Sequence, residues 1–291
     1  MKSGFIAVIG APNVGKSSFV NLMVGKKVTI VSPRPQTTRD RLFGVAHWKE
    51  TDTQVVFVDT PGIFKPKIAL DKYMVGSATQ SLDGVEGILF MIDAAKGFTE
   101  KDRDEWQRIK PDPEKTIIVI NKTDLVKNKN ELLEMISLAS NETGIKTIFP
   151  ISVLKLTQTD ELKRYICDIL PDGPAFFPAD MLTDKDRRYI IRELIREAVI
   201  FNVFDELPYM IAVLIEELQG AHIRATLICE RESQKGILIG SQGTMIKNIG
   251  IAARKKIEHM FGSTVFLELT VQVEKNWRKN DRILKELGYE Q

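Results

Sequence analysis

Eight residues, Gly10-Ala11-Pro12-Asn13-Val14-Gly15-Lys16-Ser17, follow the apolar run Phe5–Ile9 and open a helical pattern. This segment constrains the fold more than any other in the chain. Glycines spaced this way let the backbone curl so that successive N–H groups point at one anion. The helix that follows adds the positive end of its dipole. A glycine loop ending in Lys-Ser between a buried strand and a helix is the phosphate loop of an α/β domain.

The next 150 or so residues keep the same rhythm. Gln54–Val58, Gly87–Ile92, Thr116–Ile120 and Thr147–Ile151 are short, β-rich and almost wholly apolar, as strands buried on both faces are. Arg41–Lys49 is more mixed and reads as an antiparallel edge strand. Helical patterns fall between them, near 16–24, 69–82, 99–109, 129–142 and 157–169. Strand–helix alternation predicts a doubly wound mixed sheet with its ligand at the carboxyl ends of the strands.

Three more segments sit at such ends. Asp59-Thr60-Pro61-Gly62 follows the second buried run, where Asp59 can hold Mg²⁺ and the Gly62 N–H can meet a terminal phosphate. Asn121-Lys122-Thr123-Asp124 follows the fourth. A carboxylate at Asp124 accepts from both N1–H and N2–H₂ of guanine, a donor pair that adenine lacks. Asn121 is expected to brace the loop and Lys122 to lay its stem along the base. In Ser152-Val153-Leu154 the Val153 N–H is expected to face the guanine carbonyl. Lys16 is expected to reach the β- and γ-phosphates and Ser17 to bind Mg²⁺. Thr38, rather than Thr37, is the residue expected to offer a switch-loop hydroxyl to Mg²⁺ and the γ-phosphate. The ligand is therefore GTP or GDP, and Lys16, Thr38 and Gly62 are the catalytic candidates. Ile63 stands directly after Gly62 in the same nucleotide segment and cannot hydrogen-bond to an attacking water. Asn13 either shapes the loop or coordinates a K⁺ ion that supplies charge there.

The 291 residues suffice for about two domains. No apolar run approaches the ~18 residues of a membrane span. Cys167 and Cys229 lie far apart, which points to a reducing cytoplasm rather than a disulfide. The prolines and glycine at 171–178 mark a linker, read as 172–183 between domains 1–171 and 184–291.

The second half has the order α-β-β-α-α-β, with Gly240-Ser241-Gln242-Gly243 between its second and third helices. From Lys235 to Lys285 there are ten basic residues against four acids, a surplus of +6 in a chain whose net charge is +2. A Gly-x-x-Gly loop in this order is that of a type II KH domain, whose loop clamps single-stranded RNA. Lys235, Ile239, Gly240, Ser241, Gln242, Gly243, Lys247, Arg254 and Lys255 are the expected RNA-binding residues, with Lys256 beside them in the same basic run.

With both halves read, the chain resembles the bacterial Era GTPase family over essentially its full length. The likeness is carried by Gly10–Ser17, Gln36-Thr37-Thr38-Arg39, Asp59–Gly62, Pro171–Pro178, Glu193–Glu197, Glu206-Leu207-Pro208 and Ile239–Gly243. It departs from the family pattern at Ser241, where Lys is frequent, and at Val153, where Ala is usual. The resemblance implies a GTP-hydrolysing, monomeric assembly factor of the small ribosomal subunit that binds 16S rRNA near its 3′ end. It also implies release coupled to the nucleotide state and peripheral association with the inner membrane face. The alternative is a membrane or cell-cycle signalling GTPase whose KH-like domain binds protein.

Overall fold

The computed structural model describes the chain apart from residues 33, 35, 36, 62–65, 67, 81, 83, 290 and 291. Gly62, Ile63 and Gln36 thus lie outside the described residues. The chain divides into two compact units.

The first unit is built on a six-stranded sheet of order β2-β3-β1-β4-β5-β6. Its strands are β1 (Lys2–Ile9), β2 (Leu42–Trp48), β3 (Thr53–Asp59), β4 (Gly87–Asp93), β5 (Thr116–Asn121) and β6 (Ile148–Pro150). All neighbours run parallel except β2, which is antiparallel to β3. Between them come α1 (Lys16–Val24), α2 (Ala69–Gln80), α3 (Glu100–Ile109), α4 (Lys129–Thr143) and α5 (Thr159–Ile169). Strands β3, β4 and β5 are buried along their whole length, as their apolar runs require when both faces are covered. Strand β1 has β3 on one side and β4 on the other, so strand order reverses at its carboxyl end. That crevice is where open α/β sheets take their ligands, and the loop 10–15 fills it.

Residues 172–183, expected as a linker, fall within the first unit together with Asp184. Buried Gln54 on β3 accepts from the Phe176 and Phe177 N–H groups and donates to the Phe177 carbonyl. Asp184 accepts from the Phe43 N–H on β2. One amide side chain on an inner strand thus satisfies three backbone groups of this proline-rich stretch, which composition cannot disclose.

The second unit contains α6 (Arg187–Asn202), β7 (Ala212–Gln219), β8 (His222–Cys229), α7 (Glu232–Ile239), α8 (Thr244–Phe261), β9 (Phe266–Val273) and α9 (Asp281–Glu286). Its sheet runs β7-β8-β9, antiparallel then parallel. Ile195 and Val199 of α6 and Ile249, Ala253 and Ile257 of α8 form the core with Ile215 and Ala225. The four-residue spacing on α8 puts one stripe inward and leaves Lys247, Arg254 and Lys255 outside. Helix α9 carries too short a pattern to be read in sequence. The tail around it is nevertheless ordered by Trp277, fully buried with its indole N–H on the Met210 carbonyl, and by Tyr289 stacked on it.

The second unit also takes in Ile30–Arg34 and Pro66–Tyr73. The Val31 N–H donates to Glu197 Oε1 at 3.1 Å. The Arg34 guanidinium donates to the Val203 and Asp205 carbonyls, 2.6 and 2.9 Å away, just past the end of α6. A cation suits the carbonyl-rich end of a helix. Among the described residues, no helix is long and apolar enough to cross a membrane.

Candidate functional site

The loop after β1 takes a path that only glycine permits at two points. Gly10 has φ +137°, and a Cβ there would lie 2.3 Å from the Met91 carbonyl oxygen. Gly15 has φ +105°, and a Cβ there would lie 2.3 Å from Asn121 Nδ2. Asn13 adopts φ +68°, a conformation that Asn tolerates better than most residues. Lys16 is buried, with Nζ donating to the Gly10 and Ala11 carbonyls at 2.6 and 3.1 Å. Burial lowers its pKa, and the charges of Glu105, Asp59 and Asp102 partly offset that. A buried ammonium held at the mouth of this glycine loop by two carbonyls is suited to an anion.

Three predicted metal ligands from three different segments meet here. Ser17 Oγ lies 2.9 Å from Thr38 Oγ1 and donates to Asp59 Oδ2 at 2.8 Å. Asp59 is completely buried at the end of β3, and burial raises its pKa against the hydrogen bonds from Ser17 and Thr29. Its second oxygen, Oδ1, is buried without a hydrogen-bond partner among the described residues. A carboxylate oxygen, two hydroxyls and an orphaned acceptor form the hard oxygen set that Mg²⁺ takes. The residues present therefore fit the ion. Thr60 turns away from this cluster, its hydroxyl on the Val8 carbonyl.

The base-reading segments are tied to the phosphate loop by side chains. Asn121 donates to the Val14 carbonyl at 2.9 Å and accepts from the Val153 N–H at 3.1 Å. It thereby joins the loops after β1, β5 and β6. The Val153 N–H, the group expected at the guanine carbonyl, here donates to Asn121 Oδ1. Lys122, at φ +67°, does more than lie flat. Its ammonium donates to the Asn13 carbonyl at 2.7 Å and to Asp93 Oδ2 at 2.6 Å. Exposed Asp124 is oriented by the buried Ser152 hydroxyl, which donates to Oδ1. Leu154 is largely exposed beside it, and Thr123 bonds back to the Ile151 carbonyl.

Asp93 and Thr29 escaped the sequence reading. Asp93 does end an apolar strand at its carboxyl edge, the same signal that marks Asp59 and Asn121. Nothing in the sequence flags Thr29.

In the second unit α7 ends at Gly240, whose added Cβ would come within 2.8 Å of the Met245 N–H. Gln242 and Gly243 have φ +50° and +77°, so the loop turns sharply into α8. Ser241 and Gln242 are exposed; Ile239 and Lys235 are half-buried. A groove of about 280 Å³ lies between α8 and β9, lined by Ile246, Lys247, Gly250, Ile251, Arg254, Leu267 and Leu269. It has cations at the rim and aliphatic walls. Lys247 and Arg254 line it, while exposed Lys255 does not. Lys256, read as part of the same basic face, instead donates to buried Glu197 at 2.7 Å and lies over the Phe201 ring. The charge count sees the residue, but the helix phase turns it to α6.

Two protein families match the chain: 50S ribosome-binding GTPase over residues 5–122 and KH domain over 206–278. GTPase Era of Lacticaseibacillus paracasei is 43% identical over 292 residues, spanning 99% of this chain and 96% of its own. GTPase Era of Thermosipho melanesiensis is 45% identical over 295 residues, with 99% and 98% covered. The chain belongs to the Era GTPase family. A crystal structure of Era in complex with MgGDPNP and nucleotides 1506–1542 of 16S ribosomal RNA superposes with a TM-score of 0.95, at 39% identity and full coverage of both chains. An Aquifex aeolicus Era variant bound to GDP and AlF4⁻ gives 0.94 at 38% identity, again with full coverage of both. A GTPase domain precedes a KH domain here, and the KH match covers most of the second unit's α-β-β-α-α-β order.

Proposed function

We infer that this Era-family GTPase is a GTP-hydrolysing switch that holds 16S rRNA near its 3′ end and serves assembly of the small ribosomal subunit. The single observation that carries it is the full-length match, in sequence and backbone, to an Era solved with both a GTP analogue and that RNA. The reaction is GTP plus water to GDP plus phosphate. In our reading backbone N–H groups of the loop from Asn13 to Ser17 donate to the β- and γ-phosphates and the Lys16 ammonium offsets their charge. Ser17, Thr38 and Asp59 hold Mg²⁺, which when bound offsets charge on the transferring phosphate. Asp124 reads the base, while Asn121 and Lys122 keep its loop in register with the phosphate loop.

Base selection supplies a direct test. Asp124→Asn places an amide donor against guanine's donors and suits the extra carbonyl of xanthine. Losing one charged hydrogen bond costs about 1.5–3 kcal/mol, so GTP affinity is expected to fall roughly tenfold to more than a hundredfold while XTP affinity rises. Competition binding of the two nucleotides measures this, and an unchanged GTP preference would assign the reading to another residue.

The same proposal includes a K⁺ ion beside Asn13. The support is the position of Asn13 in the phosphate loop and an apolar Ile63 that cannot orient water. Hydrolysis is then faster in K⁺ than in Na⁺ at equal ionic strength, and Asn13→Ala removes the difference. Equal rates in the two salts for the parent protein count against the ion.

A cytoplasmic monomer with peripheral contact to the inner membrane face completes the proposal, with Cys167 and Cys229 as free thiols. The competing reading, a KH-like domain that binds protein, predicts no retention on 16S rRNA.

A further inference from the structure

We propose that Thr29 is a positioning residue for Mg²⁺, acting through Asp59. This rests on the reading that Ser17, Thr38 and Asp59 hold the ion. Thr29 is buried, and its Oγ1 lies 3.1 Å from Asp59 Oδ2, the oxygen that also accepts from Ser17. An ionised carboxylate only accepts, so Thr29 is the donor. With both hydroxyls on Oδ2, Oδ1 is the carboxylate oxygen left over for the ion or its water. Ser17 has a second duty as a metal ligand. Thr29 has none, which leaves its hydroxyl as the dedicated anchor of the carboxylate.

The anchor is itself held. Asn21 accepts from the Thr29 N–H at 3.0 Å and from the Val28 N–H at 2.8 Å, and donates to the Thr29 carbonyl at 2.9 Å. One amide side chain thus grips the Thr29 backbone on both sides, and a β-branched side chain on a fixed backbone has few rotamers. Asn21 stands one helical turn after Ser17 on α1, so the two share a face. That face delivers Ser17 to Asp59 directly and, one turn on, Asn21 to Thr29, which reaches the same oxygen. Outer-shell hydrogen bonds of this kind orient ligands and tune metal affinity.

The test is the Mg²⁺ dependence of fluorescent-GDP release from the full chain. Thr29→Val removes the hydroxyl at nearly constant volume. The Mg²⁺ concentration that half-maximally slows release is expected to rise about 10–100-fold, with GDP affinity in EDTA unchanged. Thr29→Ser keeps the hydroxyl and is expected to restore most of the response. Asn21→Ala keeps Thr29 but frees its backbone, and is expected to shift the midpoint in the same direction by a few-fold. A parental midpoint in Thr29→Val overturns the assignment, as does an equal loss of GDP affinity in EDTA, which marks a merely structural role. If Thr29→Val does not fold, a parental midpoint in Asn21→Ala overturns it. Ser17→Ala separates the two levels: if it retains the parental Mg²⁺ dependence, the metal site itself is misread, whatever Thr29 does.

Discussion

Replacing Gly15 by alanine is expected to lower GTP and GDP affinity by more than about a hundredfold, with the second domain left intact. The backbone at Gly15 has φ +105°, where an L-residue is strained, at a cost of about 1–3 kcal/mol. The added Cβ would meet Asn121 Nδ2 at 2.3 Å. That amide donates to the Val14 carbonyl, and the same side chain accepts from the Val153 N–H. The single methyl thus disturbs the phosphate loop and both base-reading loops together. A combined loss near 3 kcal/mol corresponds to about a hundredfold in Kd. Titration calorimetry with both nucleotides measures it, with RNA binding as the control for folding. Near-parental affinity would mean that Asn121 moves aside freely and does not brace the site.

On the RNA side, Ser241→Asp with Gln242→Asp is expected to lower affinity for the 3′ segment of 16S rRNA at least about a hundredfold without touching GTP binding. Both residues are exposed on the loop between α7 and α8, and Asp tolerates the left-handed backbone at 242. Two carboxylates would stand where phosphates are expected. Lys247→Ala with Arg254→Ala attacks the groove rim instead. If both meet phosphates, the logarithmic salt slope flattens by about 1.4, from ~0.7 per phosphate contact on a single strand. Lys256→Ala is the contrast. Its ammonium is held by Glu197, so its loss is expected to cost about 1.5–3 kcal/mol of stability while the salt slope stays parental. Filter binding over a salt series, with thermal melts, distinguishes the three. A folded double-Asp variant that binds RNA as tightly as the parent would favour the protein-binding alternative.

The chemistry of this chain is written in local segments, and local segments are what sequence reveals. Gly10–Ser17, Asp59, the Asn121–Asp124 tetrad and Gly240–Gly243 each combine a turn that needs glycine or a strand end with a side chain whose chemistry is specific. The strands were legible because burial on both faces leaves an unbroken apolar run, and α8 because its apolar stripe recurs at helical spacing. That much follows from covalent geometry and the separation of apolar groups from water. Tertiary structure decided the rest, because hydrogen bonds between residues far apart in sequence leave no periodic trace. The amide of Asn121 joins three loops, and Asp93 pins Lys122 to the Asn13 carbonyl. Gln54 holds a proline-rich stretch more than a hundred residues away against the first unit. The phase of α8 divides its cations, turning Lys247 and Arg254 to the groove and Lys256 to Glu197. Thr29 is the sharpest case: an ordinary threonine in sequence, it becomes a partner of Asp59 only because folding brings the connection between α1 and β2 to the end of β3 and buries the two side chains together, where a hydroxyl without a partner would be costly.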